Sequence, residues 1–221
     1  MFKGVIAIDG PASAGKGTVA REIAKRLGLR YLDTGAMYRA LALKSKRAGL
    51  GPDDGPSAAK LGAACDIEFG EGNPQKVYLD GEDVTTAIRE PEIGDLASAL
   101  SVHSEVRKVL VAQQQALVRR GGITLEGRDV TTVVAPDADL KVFLTASLEE
   151  RARRRHAELS AKGMDVSYEA VMTQMAERDE RDSSREDSPL RVASDAVIIN
   201  TDGMSAEEAV KQILSLLPDK S

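Results

Sequence analysis

The chain contains, close to its start, the stretch Gly10-Pro-Ala-Ser-Ala-Gly-Lys-Gly-Thr18. An apolar run, Val5-Ile-Ala-Ile8, precedes this stretch, and a helical pattern, Thr18–Leu27, follows it. In a glycine-rich loop between a strand and a helix, backbone N–H groups and the helix N-terminus can surround a polyphosphate. Lys16 adds a mobile positive charge. The alternative is an ordinary turn with two glycines, but the spacing G-x4-G-K in this context favours a phosphate-binding loop.

The residue after the lysine narrows the class of protein. In a standard Walker A loop a Ser or Thr stands there and ligates Mg²⁺. Here Gly17 occupies the position and Thr18 follows it. The order G-K-G-T resembles the nucleoside monophosphate kinases more than the GTPases or the motor ATPases. The chain also lacks an N/T-K-x-D motif for guanine recognition, which argues against a GTPase switch.

The composition excludes several classes of protein. A chain of 221 residues with 42% hydrophobic content can form one sizeable core with an inserted subdomain. The net charge of −5 argues against nucleic-acid and anionic-membrane partners, so basic residues that bind phosphates must be concentrated locally. Cys65 is the single cysteine, which excludes an intrachain disulfide and indicates a reducing compartment. Since no stretch approaches the roughly 18 apolar residues of a membrane span, we expect a soluble cytoplasmic protein.

Short apolar runs and amphipathic stretches alternate along the chain and predict strands and helices. The predicted strands are Val5–Ile8, Arg30–Leu32, Ile123–Leu125, Leu140–Leu144 and Ala196–Ile199. The predicted helices are Thr18–Leu27, Ala36–Ala48, His103–Arg119, Leu148–Ser160 and Ala206–Leu216. This alternation predicts an α/β fold with a parallel five-stranded sheet and helices on both faces. In the last helix a core-facing stripe is expected, formed by Val210, Ile213, Leu214 and Leu217.

Residues Cys65 to Ile88 interrupt this alternation. Asp66-Ile-Glu-Phe-Gly70 and Lys76–Val84 read as short antiparallel strands around turns at Gly70–Pro74 and Asp80-Gly81. An antiparallel patch within a parallel α/β chain indicates an insertion. The glycines and prolines of Gly49–Pro56 suggest a hinge before it.

A polar segment, Leu32-Asp-Thr-Gly-Ala-Met-Tyr-Arg39, follows the second predicted strand. Ligands of open α/β sheets bind outside the carboxyl ends of the strands, beside the phosphate loop. Asp33 is therefore a candidate to hold Mg²⁺ through water, and Arg39 a candidate for an acceptor phosphate. The alternative interpretation is that Asp33 or Thr34 only caps the next helix, and the two interpretations are compatible.

A second polar segment, Thr124-Leu-Glu-Gly-Arg-Asp-Val130, follows the third predicted strand. Its glycine allows a ligand to approach the backbone, and Arg128 and Asp129 can recognise a phosphate and a base or sugar. An ordinary ion pair within the loop is the alternative.

Two arginine-rich stretches complete the set of charged segments. Arg178, Arg181 and Arg185 are spaced i, i+3 and i+7, which predicts one face of a helix, and Asp182 lies one turn after Arg178. A solvated helix with ion pairs is the alternative, but a phosphate loop in the same chain favours arginines that stabilise a transferring phosphoryl group. The other stretch, Arg151-Ala-Arg-Arg-Arg155, fits either a helix that closes over ATP or a solvated basic helix.

Taken together, these segments resemble the bacterial cytidylate kinase family over nearly the whole chain. The resemblance rests on Ile8–Thr18, Asp33–Arg39, Glu126–Asp129, Pro136–Ala138 and Glu177–Asp182, whose order and spacing are specific as a set. The family implies one P-loop NTPase-type kinase domain with an antiparallel insertion that binds the nucleoside monophosphate (NMP) and a helical lid. The core would then span about 1–50, 100–150 and 190–221, the insertion about 51–99 and the lid about 151–189.

The resemblance also implies the activity, which is transfer of the γ-phosphate of ATP to CMP or dCMP in pyrimidine nucleotide metabolism. ATP would be bound by Gly10, Pro11, Ala12, Ser13, Ala14, Gly15, Lys16, Gly17 and Thr18. Mg²⁺ would be held through water, with Thr18, Asp33 and Glu126 as candidates. The catalytic cations would be Lys16, Arg128, Arg178, Arg181 and Arg185.

The acceptor nucleotide would contact Thr34, Arg39, Ser98, Arg107, Arg128, Asp129, Arg178, Asp182 and Arg185. Within that set, the family implies that cytosine faces Ser98, Arg107 and Asp129. The sugar would face Arg178 and Asp182, and the acceptor phosphate Arg39, Arg128 and Arg185. The chain departs from the family's common residues at Thr34, where Ser is usual, and at Glu126, where Asp is usual.

Two other functions remain open from the sequence. One is another small-molecule kinase with a phosphate loop, which leaves the arginine-rich segment and the cytosine-reading set unexplained. The other is a non-catalytic ATP-binding module, which predicts binding without turnover. A monomer is expected.

Overall fold

Strand β1 (Val5–Asp9) is the central strand of a five-stranded sheet in the computed structural model, which describes residues 2–217. The other strands are β2 (Arg30–Asp33), β6 (Ile123–Gly127), β7 (Leu140–Thr145) and β8 (Val197–Asn200), in the order β2-β6-β1-β7-β8. β1 pairs in parallel with β6 and β7, and β7 with β8. The predicted parallel sheet and all five of its strands are confirmed.

The chain divides into two compact units, and the boundary falls within β2. The first unit comprises the chain up to Tyr31 and from Arg120 onward, and the second comprises Leu32–Arg119. The predicted insertion, 51–99, lies inside the second unit. The ends of the predicted core, residue 1 and residues 218–221, lie outside the described residues.

The first unit contains helices α1 (Lys16–Leu27), α6 (Leu148–Ala161), α7 (Tyr168–Ser184) and α8 (Ala206–Ser215), and a π-helical turn, Val130–Val134. Its core joins the apolar side chains of β1, β7, α1 and α8. Val210 and Ile213 of α8 are fully buried there, while Leu214 and Leu217 pack against them partly exposed, so the predicted stripe is confirmed. A reciprocal capping box between Ser205 and Glu208 begins α8.

The second unit contains α2 (Thr34–Arg47), α3 (Gly55–Ala63), a three-stranded sheet, a short 3₁₀ turn (Ala87–Arg89), α4 (Pro91–Leu100) and α5 (Ser104–Val118). The sheet consists of β3 (Ile67–Gly70), β4 (Lys76–Leu79) and β5 (Glu82–Asp83), and both of its pairings are antiparallel, as predicted.

Two features of the second unit differ from the prediction. Gly49–Pro56 is not wholly a hinge, because α3 begins at Gly55 with a proline in its first turn, a position where the missing N–H of proline costs no hydrogen bond. Helices α3 and α4 were not predicted because both are short, with 9 and 10 residues, and a short segment gives little helical periodicity. Packing stabilises them instead, since α3 packs against α5 and α4 packs against α2.

Candidate active site

The loop between β1 and α1 is strongly curved. Gly10, Ser13 and Gly15 all have positive φ values, 148°, 60° and 92°. Helix α1 then begins at Lys16 with no side-chain cap and no acidic residue in its first turn. Its first N–H groups therefore remain available for an anion, which agrees with the predicted phosphate loop.

We expect Gly10→Ala to destabilise the protein by about 3 kcal/mol or more. A methyl group on Gly10 would lie 2.0 Å from the carbonyl oxygen of Leu144 on β7, and the φ of 148° is strained for any other residue. Gly94→Ala in α4 is the matched control, since it meets nothing within 4 Å and should stabilise the helix by up to about 1 kcal/mol. Urea unfolding measures both changes, and equal midpoints for the two variants would contradict this account.

Lys16 is 5% exposed, and its Nζ donates a hydrogen bond to the carbonyl oxygen of Pro11 at 2.8 Å. Burial and, to a smaller extent, the guanidinium groups of Arg128 and Arg178 together lower the pKa of Lys16 to about 7, although nearby carboxylates act in the opposite direction. The structure thus brings the loop lysine together with two of the predicted catalytic arginines. A buried excess of positive charge is an environment that favours a polyphosphate.

Asp182 on α7 is the common partner of three arginines. Its Oδ2 accepts a hydrogen bond from Arg128 Nε at 2.9 Å and lies 4.0 Å from Arg178 Nε, and its Oδ1 lies 3.7 Å from Arg185 Nη2. Burial would raise the pKa of Asp182, but the three guanidinium groups outweigh it and hold that pKa below its usual range. Asp182 therefore stays ionised and keeps the three arginines converged.

The arrangement of these arginines differs from the prediction in one respect. Helix α7 ends at Ser184, so Arg185 follows the helix instead of sharing a helical face with Arg178 and Arg181. Arg185 is buried, and Arg181 is exposed on α7. The i, i+7 spacing assumed a continuous helix, whereas the backbone of Arg185 is extended, with a ψ of 136°.

Asp9, which the sequence analysis gave no role, holds the turn that follows Arg128 and Asp129. Its carboxylate accepts hydrogen bonds from the backbone N–H groups of Val130 and Thr131 and from the Thr131 hydroxyl, at 2.6 to 3.0 Å. Burial raises the pKa of Asp9 to about 6, while these donors act in the opposite direction. The signal in the sequence was an aspartate at the end of an otherwise apolar strand, directly before the loop.

The carboxylate of Glu126 lies close to Gly17. The Tyr31 hydroxyl donates to Glu126 Oε1 at 3.2 Å, and a methyl group on Gly17 would lie 3.1 Å from that same oxygen. A side chain at this position would therefore crowd the carboxylate of Glu126. No group of three or more acidic, His or Cys side chains that could hold a metal occurs within residues 2–217. This donor set fits Mg²⁺ that is bound mainly by phosphates and water, with few protein oxygens.

In the second unit, Asp33 is the N-cap of α2. Its Oδ1 accepts from the Ala36 N–H at 2.9 Å, and its Oδ2 accepts from Arg39 Nη2 at 2.6 Å. The capping interpretation of Asp33 is therefore correct. Asp33 also forms an ion pair with Arg39, which the sequence analysis did not predict. Thr34 begins the helix and is buried.

In the second unit, hydrogen bonds through Ser101 connect Ser98 to Arg107. The Ser101 hydroxyl donates to the Ser98 carbonyl at 2.8 Å, and Arg107 Nη1 donates to the Ser101 carbonyl at 3.2 Å. The Arg107 guanidinium lies 5.6 Å from the centre of the Tyr38 ring, a cation–π contact that the sequence analysis missed. Arg107 is buried, and its orientation is fixed by these neighbours.

The basic stretch Arg151–Arg155 is not the wholly solvated basic helix that was one of the two predicted alternatives, and closure over ATP stays a prediction. Arg151 is buried, and Arg154 donates to the carbonyl oxygen of Thr201 at 2.6 Å. Arg153 is exposed and pairs with Glu150. One side of the stretch therefore contacts other segments of the protein, such as Thr201, and the other side faces solvent.

The curved loop, the buried lysine and the parallel sheet define a protein of the phosphate-binding-loop class. The sequence profile of the family described as "Cytidylate kinase" matches residues 6–219, and the chain belongs to this family. It is 49% identical over 217 residues to a cytidylate kinase of Geobacter sulfurreducens, covering 98% of this chain and 93% of that protein. It is 48% identical to one of Carboxydothermus hydrogenoformans, covering 98% of both.

Among solved structures, a gluconokinase from Sinorhizobium meliloti superposes with a TM-score of 0.52 at 15% identity. The match covers 97% of this chain and 91% of that chain. At this identity the likeness shows the fold alone, which agrees with the α/β architecture described above.

Proposed function

We propose that this protein transfers the γ-phosphate of ATP to CMP or dCMP and releases ADP and CDP or dCDP. The proposal is supported by membership of the cytidylate kinase family and by one observation of the structure. That observation is the convergence of Arg128, Arg178 and Arg185 on a buried Asp182, in the same unit as the loop lysine.

The chemistry needs no covalent intermediate and no general base. The acceptor phosphate oxygen of CMP is already ionised at neutral pH, so catalysis consists of aligning it with the γ-phosphate and neutralising the charge that develops. We assign the phosphates of ATP to the loop Gly10–Thr18 and the neutralising charge to Lys16 and the arginines around Asp182. Arg181 is exposed in the structure, and its contribution to the neutralising charge stays a prediction.

For the acceptor nucleotide we keep the residues that the family resemblance implies, which are Thr34, Arg39, Ser98, Arg107, Arg128, Asp129, Arg178, Asp182 and Arg185. Mg²⁺ bound with ATP would neutralise phosphate charge, and Glu126 and Thr18 would hold it through water. Asp33 stays a candidate for the same role, and its carboxylate also caps α2 and pairs with Arg39.

An acceptor screen with the purified protein tests the proposal. ADP release in the presence of ATP and Mg²⁺ is measured with CMP, dCMP, UMP, AMP, GMP and a panel of metabolite alcohols. Turnover with CMP or dCMP that exceeds every other acceptor supports the proposal. Turnover only with a metabolite alcohol would identify another small-molecule kinase, and ATP binding without any turnover would identify a non-catalytic module.

No helix within residues 2–217 is long and apolar enough to cross a membrane. The monomeric state, the cytoplasmic location, the lack of nucleic-acid and membrane partners and the lid function of residues 151–189 stay predictions. Size-exclusion chromatography with light scattering would test the first of them.

A further inference from the structure

Arg151, in the first turn of α6, binds oxygen atoms from three separate segments of the first unit. Its Nε donates to the carbonyl of Ala146 after β7 at 3.0 Å. Its Nη1 makes a longer hydrogen bond, 3.4 Å, to the carbonyl of Ala12 in the phosphate loop. Its Nη2 lies 2.7 Å from Asp179 Oδ2 on α7. The side chain of Arg151 is only 6% exposed, so its guanidinium group binds these protein oxygens and has little contact with water.

Apolar side chains also join α6, α7 and the phosphate loop. Ala152 and Leu159 of α6 form a buried cluster with Val171 and Met175 of α7, and Ala12 packs against that cluster. The phosphate loop, the start of α6 and the middle of α7 thus pack together. Asp179 is the residue directly after Arg178 and lies three positions before Asp182.

We propose that Arg151 is a positioning residue, which holds α7 against the phosphate loop through Asp179 and Ala12 and so orients Arg178 and Asp182. This inference rests on the proposed function, because those two residues are assigned to the phosphoryl transfer. A lysine cannot replace Arg151, since a single ammonium cannot bind three oxygens in different directions in one plane. Loss of the Asp179 charge leaves the buried Arg151 guanidinium without its counter-charge.

The test compares Asp179→Asn with Glu158→Gln. Both variants convert a carboxylate to an amide and break an arginine ion pair, but Glu158 is 49% exposed and its partners, Arg155 and Lys162, lie on α6 and at its end. We expect Asp179→Asn to lower kcat by about 10- to 100-fold, because small misplacements of catalytic groups have effects of that size. The KM for ATP should change by less than about three-fold, since the loop backbone that binds ATP is intact. The control should keep kcat within about two-fold of the parent.

A double-mutant cycle tests whether Arg151 and Asp179 act through each other. If Arg151 and Asp179 act as one unit, Arg151→Lys with Asp179→Asn should lose about as much kcat as the worse single variant. Losses that multiply, or a kcat for Asp179→Asn equal to that of the control, would overturn the proposal.

Amide hydrogen exchange supplies a readout that does not depend on the acceptor. With an unreactive ATP analogue bound, peptides of α7 should exchange about ten-fold faster in Asp179→Asn than in Glu158→Gln, because α7 is no longer held to the loop. Equal exchange in the two variants would overturn the role of Arg151. If the parent protein phosphorylates neither CMP nor dCMP, the proposed function fails, and the exchange comparison still decides whether Arg151 holds α7.

Discussion

Replacing Lys16 with Met is expected to lower kcat by about 10³-fold or more, since removal of one buried electrostatic contact to a developing charge has effects of that order. The Nζ group lies among Arg128, Arg178, Glu126 and Asp9, and it donates a hydrogen bond to the loop carbonyl of Pro11. Met preserves the length and packing of the side chain without its charge. A kcat within about ten-fold of the parent would remove Lys16 from the mechanism.

The same variant is expected to be more stable than the parent at neutral pH. Because burial lowers the pKa of Lys16 to about 7 in the folded protein, the folded state binds the lysine proton more weakly than the unfolded chain. Stability therefore rises as the pH increases from about 7 toward the unfolded pKa of roughly 10.4, and at lower pH the buried charge costs on the order of a few kcal/mol. Circular-dichroism melts at pH 6.5, 8 and 9.5 should show an advantage of Lys16→Met that shrinks with pH. A variant less stable than the parent at all three values would contradict this assignment.

Replacing Asp129 with Asn is expected to narrow the preference for CMP over UMP, which we expect to be on the order of 10⁴ in the parent protein. An ionised carboxylate only accepts hydrogen bonds, so it can bind the cytosine amino group but faces the uracil O4 atom unfavourably. Asp129 is 4% exposed and begins the turn that Asp9 anchors, so its position is held by buried contacts. The amide of Asn can donate to O4, and we expect CMP turnover to fall by about 10²-fold while the ratio of CMP to UMP turnover decreases.

Values of kcat/KM for both nucleotides measure this change. Glu207→Gln serves as the control, because Glu207 is a surface carboxylate on α8 that pairs with Arg26. The control should keep the parent's ratio. Parent protein that uses UMP as efficiently as CMP, or an Asp129→Asn variant with an unchanged ratio, would show that Asp129 does not read the base.

Much of the first unit could be predicted because its signals are local. The strand, loop and helix around Lys16 follow from apolar runs, glycines and spacing, and each of these acts over a few residues. The parallel sheet followed from the alternation of strands and helices, since parallel neighbours need a crossover connection. Helices α3 and α4 could not be found in this way, because their stability comes from packing and not from a local pattern.

For the candidate site, the sequence named residues, but it did not give most of the contacts between them. Arg128, Arg178, Asp182 and Arg185 were all named from the sequence, and the i, i+4 spacing indicated that Asp182 can hold Arg178. Nothing in the sequence indicated that Asp182 also binds Arg128 and Arg185. The prediction also placed Arg185 on a helix. It missed the end of α7 because that end depends on contacts with later residues, such as the hydrogen bond from the Leu190 N–H to the Asp182 carbonyl.

A phosphate loop in a parallel α/β core, an antiparallel segment and an arginine-rich helix can all be read from the amino-acid sequence. These properties depend on residue type and spacing along the chain. The folded structure adds the contacts between distant residues: Asp9 anchors the turn after Asp129, Glu126 lies beside Gly17, and Arg151 joins the loop to α7. Ion pairs and buried hydrogen bonds form between residues distant in sequence, and packing selects their partners, so a linear pattern does not encode them.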